Sequence, residues 1–366
     1  MKIRLAIVAG ARPNFMKVAP LLAALSEDAD FETVLIHTGQ HYDEAMSGQF
    51  LRDLQIREPD YHLQVGSGTH AQQTAEIMRR LEPVLIESRP AGAVVVGDVN
   101  STVAGALVAA KLGVAVIHAE AGLRSFDRSM PEEINRLVTD SISDLLLVTE
   151  QSGVENLRSE GKPASKIVLV GNLMVDSLKR NLAEAMKSDI MERLGAKERF
   201  GLVTLHRPAN VDRQQKLEEI VSALSMISKE LPLYWPVHPR TRARLESGSV
   251  GIPSSIRLLE PLGYLDFLCM EANASVILTD SGGVQEESTV LGVRCLTLRD
   301  NTERPATVTC GTNCLAGTSQ NSILDAWQNL SNSPQVSGVP PLWDGQAGLR
   351  CRVAIKDFFL NDGRLE

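Results

Sequence analysis

The sequence predicts an α/β protein of two halves, each a parallel sheet covered by helices on both faces. Three observations carry this. Short, continuously apolar runs alternate with helical stretches, the series breaks once and restarts, and the chemically notable residues fall just after the apolar runs. A strand buried on both faces shows no polar side, so it reads as an unbroken apolar run, and parallel pairing needs a crossover helix between strands.

The first half opens with the strand "IRLAIVAG" and the amphipathic "FMKVAPLLAALSED", then the strand "ETVLIHTGQ". A helix over "TAEIMRRLEPVLIES", a strand "AGAVVVGD", a helix "STVAGALVAAKLG" and a strand "VAVIHAEAG" follow, and "DLLLVTE" and "KIVLVGN" extend the series. The polar, helical "NLAEAMKSDIMERLGAKERF" is poor in strand formers and reads as a connector, which sets the domains at 1–171 and 172–349. The second half repeats the pattern through "RFGLVTLHRP", "PLYWPVH", "SIRLLEP", "ASVILTD" and "VRCLTLRD". The amphipathic tail "AGLRCRVAIKDFFLND" predicts a closing helix over 350–366 that completes the first domain. Open α/β sheets bind ligands at the C-terminal ends of their strands, so a cleft between the halves is the expected site.

At 366 residues the chain has room for two domains, and its 43% hydrophobic and 22% charged content is that of a globular protein. A formal net charge of −8 argues against nucleic-acid partners and anionic membranes. No apolar stretch reaches 18 residues, and the N-terminal run is too short for a signal peptide, so a cytoplasmic protein is expected. The five cysteines are irregularly spaced, which suits a reducing compartment. Cys310 and Cys314 lack the partners of a zinc set, so no metal is expected.

Four strand ends carry the candidate chemistry. In "GARPNFMK", Arg12 and Lys17 stand at a turn and the front of a helix, where a cation opposes the helix dipole unless an anion is bound. Asp98 in "VVVGDVNST" reads either as an N-cap or as a functional carboxylate. In "IHAEAGLRSFDRSMPEEINR", Glu120 sits between two alanines with no local partner, a setting suited to acid–base work. Glu132 and Arg136 are spaced i,i+4, the geometry of a surface ion pair, and Glu133 reads as a plain surface residue. His206 in "LVTLHRPANVD" follows a strand with Arg207 beside it. In "TDSGGVQEE", Ser281, Gly282 and Gly283 read as a turn whose N–H groups meet an anion at a helix N-terminus. A carboxylate behind the turn, Glu286 or Glu287, then suits ribose hydroxyls, and Arg304 lies in "TERP". Acids in one half and an anion-binding set in the other fit a nucleotide sugar.

The ordered set "GARP…K", "GDVNST", "HAEAGLRS…MPEEINR", "TLHRP.N", "HPRTR", "TDSGGVQEE" and "TERP" strongly resembles the non-hydrolysing UDP-N-acetylglucosamine 2-epimerases over essentially the whole chain. The resemblance implies the glycosyltransferase-B architecture, two Rossmann-like domains facing a central cleft. It further implies interconversion of UDP-N-acetylglucosamine and UDP-N-acetylmannosamine for surface polysaccharide precursors, with neither NAD nor metal and with a homodimeric enzyme. The implied route eliminates UDP to 2-acetamidoglucal and re-adds it after a proton returns to the other face of C2.

By motif position, the catalytic residues are Asp98, Glu120, Glu132 and His206. The UDP-sugar contacts are Arg12, Lys17, Arg136, Leu262, Phe267, Ser281, Gly282, Gly283, Glu287 and Arg304, with Phe267 at the uracil end, Glu287 on the ribose hydroxyls and Glu286 left as a helix-front residue. The chain departs from many members at Ala11, Asn14 and Ala209, and Leu262 stands where some carry a glutamine that contacts the nucleotide. Residues 39–43, "GQHYD", replace the "AQHR" of regulated members, with Tyr42 for the arginine and Asp43 after it. A weak or absent activator site follows, and so does a reverse reaction without a lag. Two other readings share the motifs or the fold: a 2-epimerase of a UDP-diacetamido uronic acid, and a retaining glycosyltransferase. "TERP", with Arg304, favours the N-acetylglucosamine substrate over the uronic acid, and three acids plus His206 exceed what a transferase needs.

Overall fold

The computed structural model describes residues 2–40, 51–247, 251–332 and 338–361. The chain forms two compact units, one of Met1–Arg180 with Pro341–Glu366 and one of Asn181–Pro340. Tyr42 and Asp43, on which the activator-site expectation rests, lie outside the described residues.

Among the described residues, the first unit holds a seven-stranded parallel sheet. Its strands are β1 (Ile3–Ala9), β2 (Phe31–His37), β3 (Tyr61–His62), β4 (Gly92–Val96), β5 (Ala115–Ala121), β6 (Leu145–Val148) and β7 (Ile167–Leu169). The order is β3-β2-β1-β4-β5-β6-β7, so it reverses direction between β1 and β4. Two-residue β3 was not expected, being too short to show an apolar run. The crossovers are α1 (Arg12–Ser26), α2 (His70–Ser88), α3 (Asn100–Lys111), α4 (Pro131–Ile142) and α5 (Gln151–Ser159), followed by α6 (Leu173–Ala185). In β1, Ala6 and Val8 pack with Val95 of β4 and with Leu81 and Leu85 of α2, while Leu5 and Ile7 are buried on the opposite face. That two-sided burial is why the strands read as solid apolar runs.

The second unit repeats the plan with six described parallel strands: β8 (Gly201–Thr204), β9 (Leu233–Pro236), β10 (Ile256–Leu259), β11 (Val276–Thr279), β12 (Arg294–Thr297) and β13 (Asn313–Leu315). Their order, β10-β9-β8-β11-β12-β13, reverses between β8 and β11. The helices are α7 (Ile190–Arg193), α8 (Pro208–Val211), α9 (Gln214–Ile227), α10 (Pro239–Ser247), α11 (Tyr264–Asn273), α12 (Gly282–Leu291), α13 (Pro305–Thr309) and α14 (Gln320–Asn332). Trp235, Leu278 and Leu296 from three strands join Leu217, Ile220 and Leu224 of α9 in one buried cluster.

The last helix, α15 (Ala347–Asn361), belongs to the first unit. Asp176 of α6 accepts from the N–H groups of Ala347 and Gly348 at 3.1 and 2.8 Å, which satisfies the open end of α15. Along α1, Arg352 donates to the Ala24 carbonyl at 3.0 Å, and Lys356 pairs with Asp28 at 3.0 Å.

Candidate active site

In each sheet the order reverses at one place, and there the two neighbouring strand ends part to leave a crevice for ligands. In the first unit that place lies between β1 and β4. Asn14, on the first turn of α1, accepts from the N–H groups of Gly10 and Ala11 at 3.1 Å each and donates to the Val96 carbonyl at 2.9 Å. One side chain thus fastens both strand ends. Gly97 follows with φ 70°, and a Cβ there would come within 3.3 Å of both Glu120 Oε2 and Lys17 Nζ.

Glu120 stands on a bulge. The β5–β6 ladder pairs Ala119 with Leu147 and then Ala121 with Val148, leaving Glu120 as the extra residue. Its φ of 73° lies in the left-handed region, which costs a residue with a side chain about 1–3 kcal/mol. The carboxylate is bonded to the Lys17 ammonium, and both side chains are buried. Sequence reading left Glu120 without a local partner; the partner comes from the protein itself, 103 residues away. Lys17 accordingly lies one turn inside α1, engaged by Glu120, while Arg12 opens the helix.

Asp98 does not cap α3, whose N-cap is Val99 with no side-chain bond. Its carboxylate binds the Arg136 guanidinium, and its carbonyl accepts from Asn135 Nδ2 at 2.9 Å. Arg136 is not paired with Glu132 at i,i+4: it holds Glu133 at 2.8 Å as well as Asp98. Glu132 is exposed on the first turn of α4, and Glu133, expected on the surface, is buried. The loop after β5 explains the difference. Ser125 N, Ser125 Oγ and Phe126 N donate to the Glu133 carboxylate at 3.0, 3.1 and 3.1 Å. Burial works to raise this acid, but the Ser125 N–H and Arg136 outweigh it and hold Glu133 below its ordinary range.

Behind Gly97 and Glu120 runs a buried network that sequence reading missed. His118 on β5 meets Asp140 Oδ1 through Nδ1 at 2.6 Å and the Gly97 carbonyl through Nε2 at 2.8 Å. Asp140 also receives Arg124 at 2.7 Å and the Gly122 N–H at 3.1 Å, and Arg124 reaches on to Glu160 at 2.7 Å. Burial pushes Asp140 up; His118 and Arg124 overcome it and hold the carboxyl low.

In the second unit the ends of β8 and β11 meet through Asp280, another residue given no role from sequence. It accepts from the N–H of His206 at 3.0 Å, the N–H of Arg207 at 3.0 Å and Asn210 Nδ2 at 3.1 Å. Its Oδ1 lies 3.0 Å from His206 Nδ1. Burial raises Asp280, but the His206 bond and the backbone donors prevail and keep it ionised. A carboxylate only accepts, so Nδ1 carries a hydrogen and Nε2 is the ring nitrogen that the exposed imidazole turns away from Asp280.

Gly282 and Gly283 are not a turn: they are the first two residues of α12, with Ser281 as N-cap. A Cβ on Gly282 would lie 2.9 Å from Glu303 Oε1 and 3.4 Å from Arg304 Cζ, so glycine admits those two side chains to the helix end. Glu303 collects Arg207 at 3.2 Å, Arg299 at 2.7 Å and Arg304 at 3.3 Å. Burial opposes its charge and the three arginines overwhelm that, holding Glu303 far below the usual carboxylate range. Glu286 is no helix-front residue either; it is buried and paired with Arg304 at 2.8 Å. Three guanidiniums and the open N–H groups of a ten-residue helix make an anion-binding end. Glu287 is buried within α12, and Leu262 and Phe267 pack partly buried on the neighbouring apolar cluster. Among the described residues, no group of three or more His, Cys, Asp or Glu is arranged to hold a metal, and no helix is long and apolar enough to cross a membrane.

The UDP-N-acetylglucosamine 2-epimerase family profile matches residues 23–356. A UDP-N-acetylglucosamine 2-epimerase of Methanocaldococcus jannaschii is 42% identical over 358 residues, covering 95% of this chain and 97% of that one. A UDP-2,3-diacetamido-2,3-dideoxy-D-glucuronate 2-epimerase of Pseudomonas aeruginosa is 40% identical over 327 residues, covering 88% and 91%. The crystal structure of the Methanocaldococcus jannaschii UDP-GlcNAc 2-epimerase in complex with UDP-GlcNAc and UDP superposes with a TM-score of 0.89 at 41% identity, over 96% of this chain and 99% of that one.

Proposed function

The chain belongs to the non-hydrolysing UDP-N-acetylglucosamine 2-epimerase family, and we propose that it interconverts UDP-N-acetylglucosamine and UDP-N-acetylmannosamine. The observation that carries this is Glu120, a carboxylate raised on a strained bulge and ion-paired to Lys17. Holding the carboxylate on the backbone of the bulge fixes its direction, as proton transfer to a positioned atom requires.

The C2 proton of the sugar is barely acidic, so the anomeric C–O bond breaks first and its electron pair leaves with UDP. Positive character at C1 then acidifies C2–H, a base takes that proton, and a C1–C2 double bond forms in 2-acetamidoglucal. Return of a proton to the opposite face of C2 and addition of the UDP oxygen at C1 complete the epimer. Asp98, Glu120 and Glu132 provide the acid–base groups, with His206, poised by Asp280, as the fourth. The arginine-rich end of α12, with Ser281, Gly282, Gly283 and Arg304, takes the diphosphate; Arg12, Lys17 and Arg136 are assigned to the UDP-sugar by motif position. Glu287 takes the ribose, and Leu262 and Phe267 offer apolar surface to the uracil. The active enzyme is a homodimer in this reading, which light scattering tests.

Proton NMR of UDP-N-acetylglucosamine with the enzyme in deuterated water tests the reaction. Deuterium at C2 of the product, with no added nicotinamide, is the expected result. Retention of the original C2 proton, or a need for NAD, overturns it. The 40% identical uronate epimerase motivates a parallel assay with UDP-2,3-diacetamido-2,3-dideoxy-D-glucuronate, whose faster turnover would reassign the substrate.

A further inference from the structure

Gly97 ties together the backbone that carries Asp98 and Glu120. Its N–H donates to the Ala119 carbonyl at 3.0 Å, and that carbonyl belongs to the peptide entering Glu120. Its own carbonyl belongs to the peptide entering Asp98 and meets His118 Nε2 at 2.8 Å. A carbonyl oxygen only accepts, so Nε2 is the donor. Glycine is permissive, and at φ 70° the peptide after Gly97 is free to turn unless its carbonyl is held. His118 is held in its turn: it is 0% exposed, and its Nδ1 lies 2.6 Å from Asp140 Oδ1. The other Asp140 oxygen accepts from the Gly122 N–H at 3.1 Å and from Arg124 at 2.7 Å. One buried pair, His118 and Asp140, thus grips the backbone just before Asp98 and just after the Glu120 bulge.

We propose that His118 is a positioning residue: its Nε2–H locks the Gly97 peptide and so fixes Asp98 against Glu120, while Asp140 fixes the ring. Its part in the reaction rests on the reading of those two acids as proton-transfer groups. Fully enclosed, the imidazole acts through the backbone it bonds and not on a ligand. Moving a proton at C2 needs each carboxylate at a set place, and a shift of about 1 Å can cost about 10²-fold in rate.

Two substitutions separate the two bonds of the ring. Asparagine places its amide nitrogen where Nδ1 stands, keeping Asp140 and losing Gly97; glutamine places its nitrogen where Nε2 stands, keeping Gly97 and losing Asp140. Turnover of UDP-N-acetylglucosamine, UDP affinity by calorimetry and melting temperature are measured on the full-length wild type, His118→Asn and His118→Gln. The Asn variant is expected to lose about 10²-fold in turnover with UDP affinity within a few-fold of wild type. The Gln variant is expected to recover most of that turnover while melting lower than Asn, because buried Asp140 has lost a partner. Turnover that follows melting temperature, or a Gln variant as slow as Asn, would overturn the positioning role. If a variant does not fold, as read by circular dichroism, two-bond proton–nitrogen NMR of the wild type with isotope-labelled histidine still decides. A hydrogen on His118 Nε2 is the expected result, and a bare Nε2 overturns the proposal. Deuterium at C2 of the wild-type product in deuterated water is the control for the reaction itself. Without it the epimerase reading falls and takes the role of His118 with it; with it, the variants judge His118 alone.

Discussion

His206 is anchored to Asp280 twice, through its own backbone N–H at 3.0 Å and through Nδ1 at 3.0 Å. The carboxylate fixes both the position of the residue and the tautomer of its ring. Asp280→Asn offers an amide in place of an acceptor-only group, so the ring is free to take the other tautomer. Turnover is expected to fall by about 10²–10⁴-fold, the range of a general acid–base group. UDP affinity should change only a few-fold. Steady-state kinetics beside calorimetry checks the split, and an unchanged turnover number would show that His206 has no part in the chemistry.

Chemistry and binding should separate between the two units. Glu120→Gln is expected to cut turnover by about 10²–10⁴-fold with little effect on UDP affinity. Arg304→Ala removes a charge-assisted contact at the end of α12, so its loss should fall on UDP binding. The reverse pattern in calorimetry would mean that the roles are exchanged.

Lys17 and Glu120 form a buried pair, with 10% and 6% of their side chains exposed. Lys17→Met removes the ammonium that neutralises the buried carboxylate, and breaking such a pair costs about 3–5 kcal/mol. The Lys17→Met/Glu120→Gln double variant should recover most of that, since no bare charge remains. Urea unfolding midpoints read both, and a single-variant cost within error of the double would show that the pair is open to water.

Acid should weaken the first unit through Asp140. Burial pushes its carboxyl up, but His118 and Arg124 overcome this and hold it below the ordinary aspartate range. A depressed carboxyl stabilises the fold at pH above its unfolded value, and that stability is lost as pH falls through the folded value. Asp140→Asn lacks this contribution at every pH. Melting temperatures of wild type and variant should therefore differ at neutral pH and converge below about pH 4. Parallel curves down to pH 2 would show that Asp140 does not titrate with unfolding.

The strand ends were legible because doubly covered strands leave apolar runs, and residues placed just after them stand out. Pairings across long sequence separations were not. Nothing in "TDSGG" says that Asp280 faces a histidine 74 residues earlier, and nothing in "HAEAG" says that Glu120 meets Lys17. Helical spacing suggested Glu132 for Arg136, since i,i+4 is the usual surface geometry. The chain chose Glu133 because the loop at Ser125 and Phe126 folds three donors over it. Gly282 and Gly283 looked like a turn for a related reason: glycine there serves the approach of Glu303 and Arg304, which sequence cannot display.

The acid of "HAEAG" occupies the one position of β5 that the sheet does not use. Ala119 and Ala121 already oppose Leu147 and Val148, consecutive residues on the neighbouring strand. Excising residue 120 whole would thus knit the ladder into regular register and relieve the left-handed backbone, where any substitution leaves the kink in place. In the proposed reading, sheet register and proton transfer pull in opposite directions at this codon. A duplicated copy of the gene, released from selection for turnover, would be expected to shed it by a three-nucleotide deletion only together with a neutral residue at position 17, because the buried Lys17 ammonium loses its carboxylate with it.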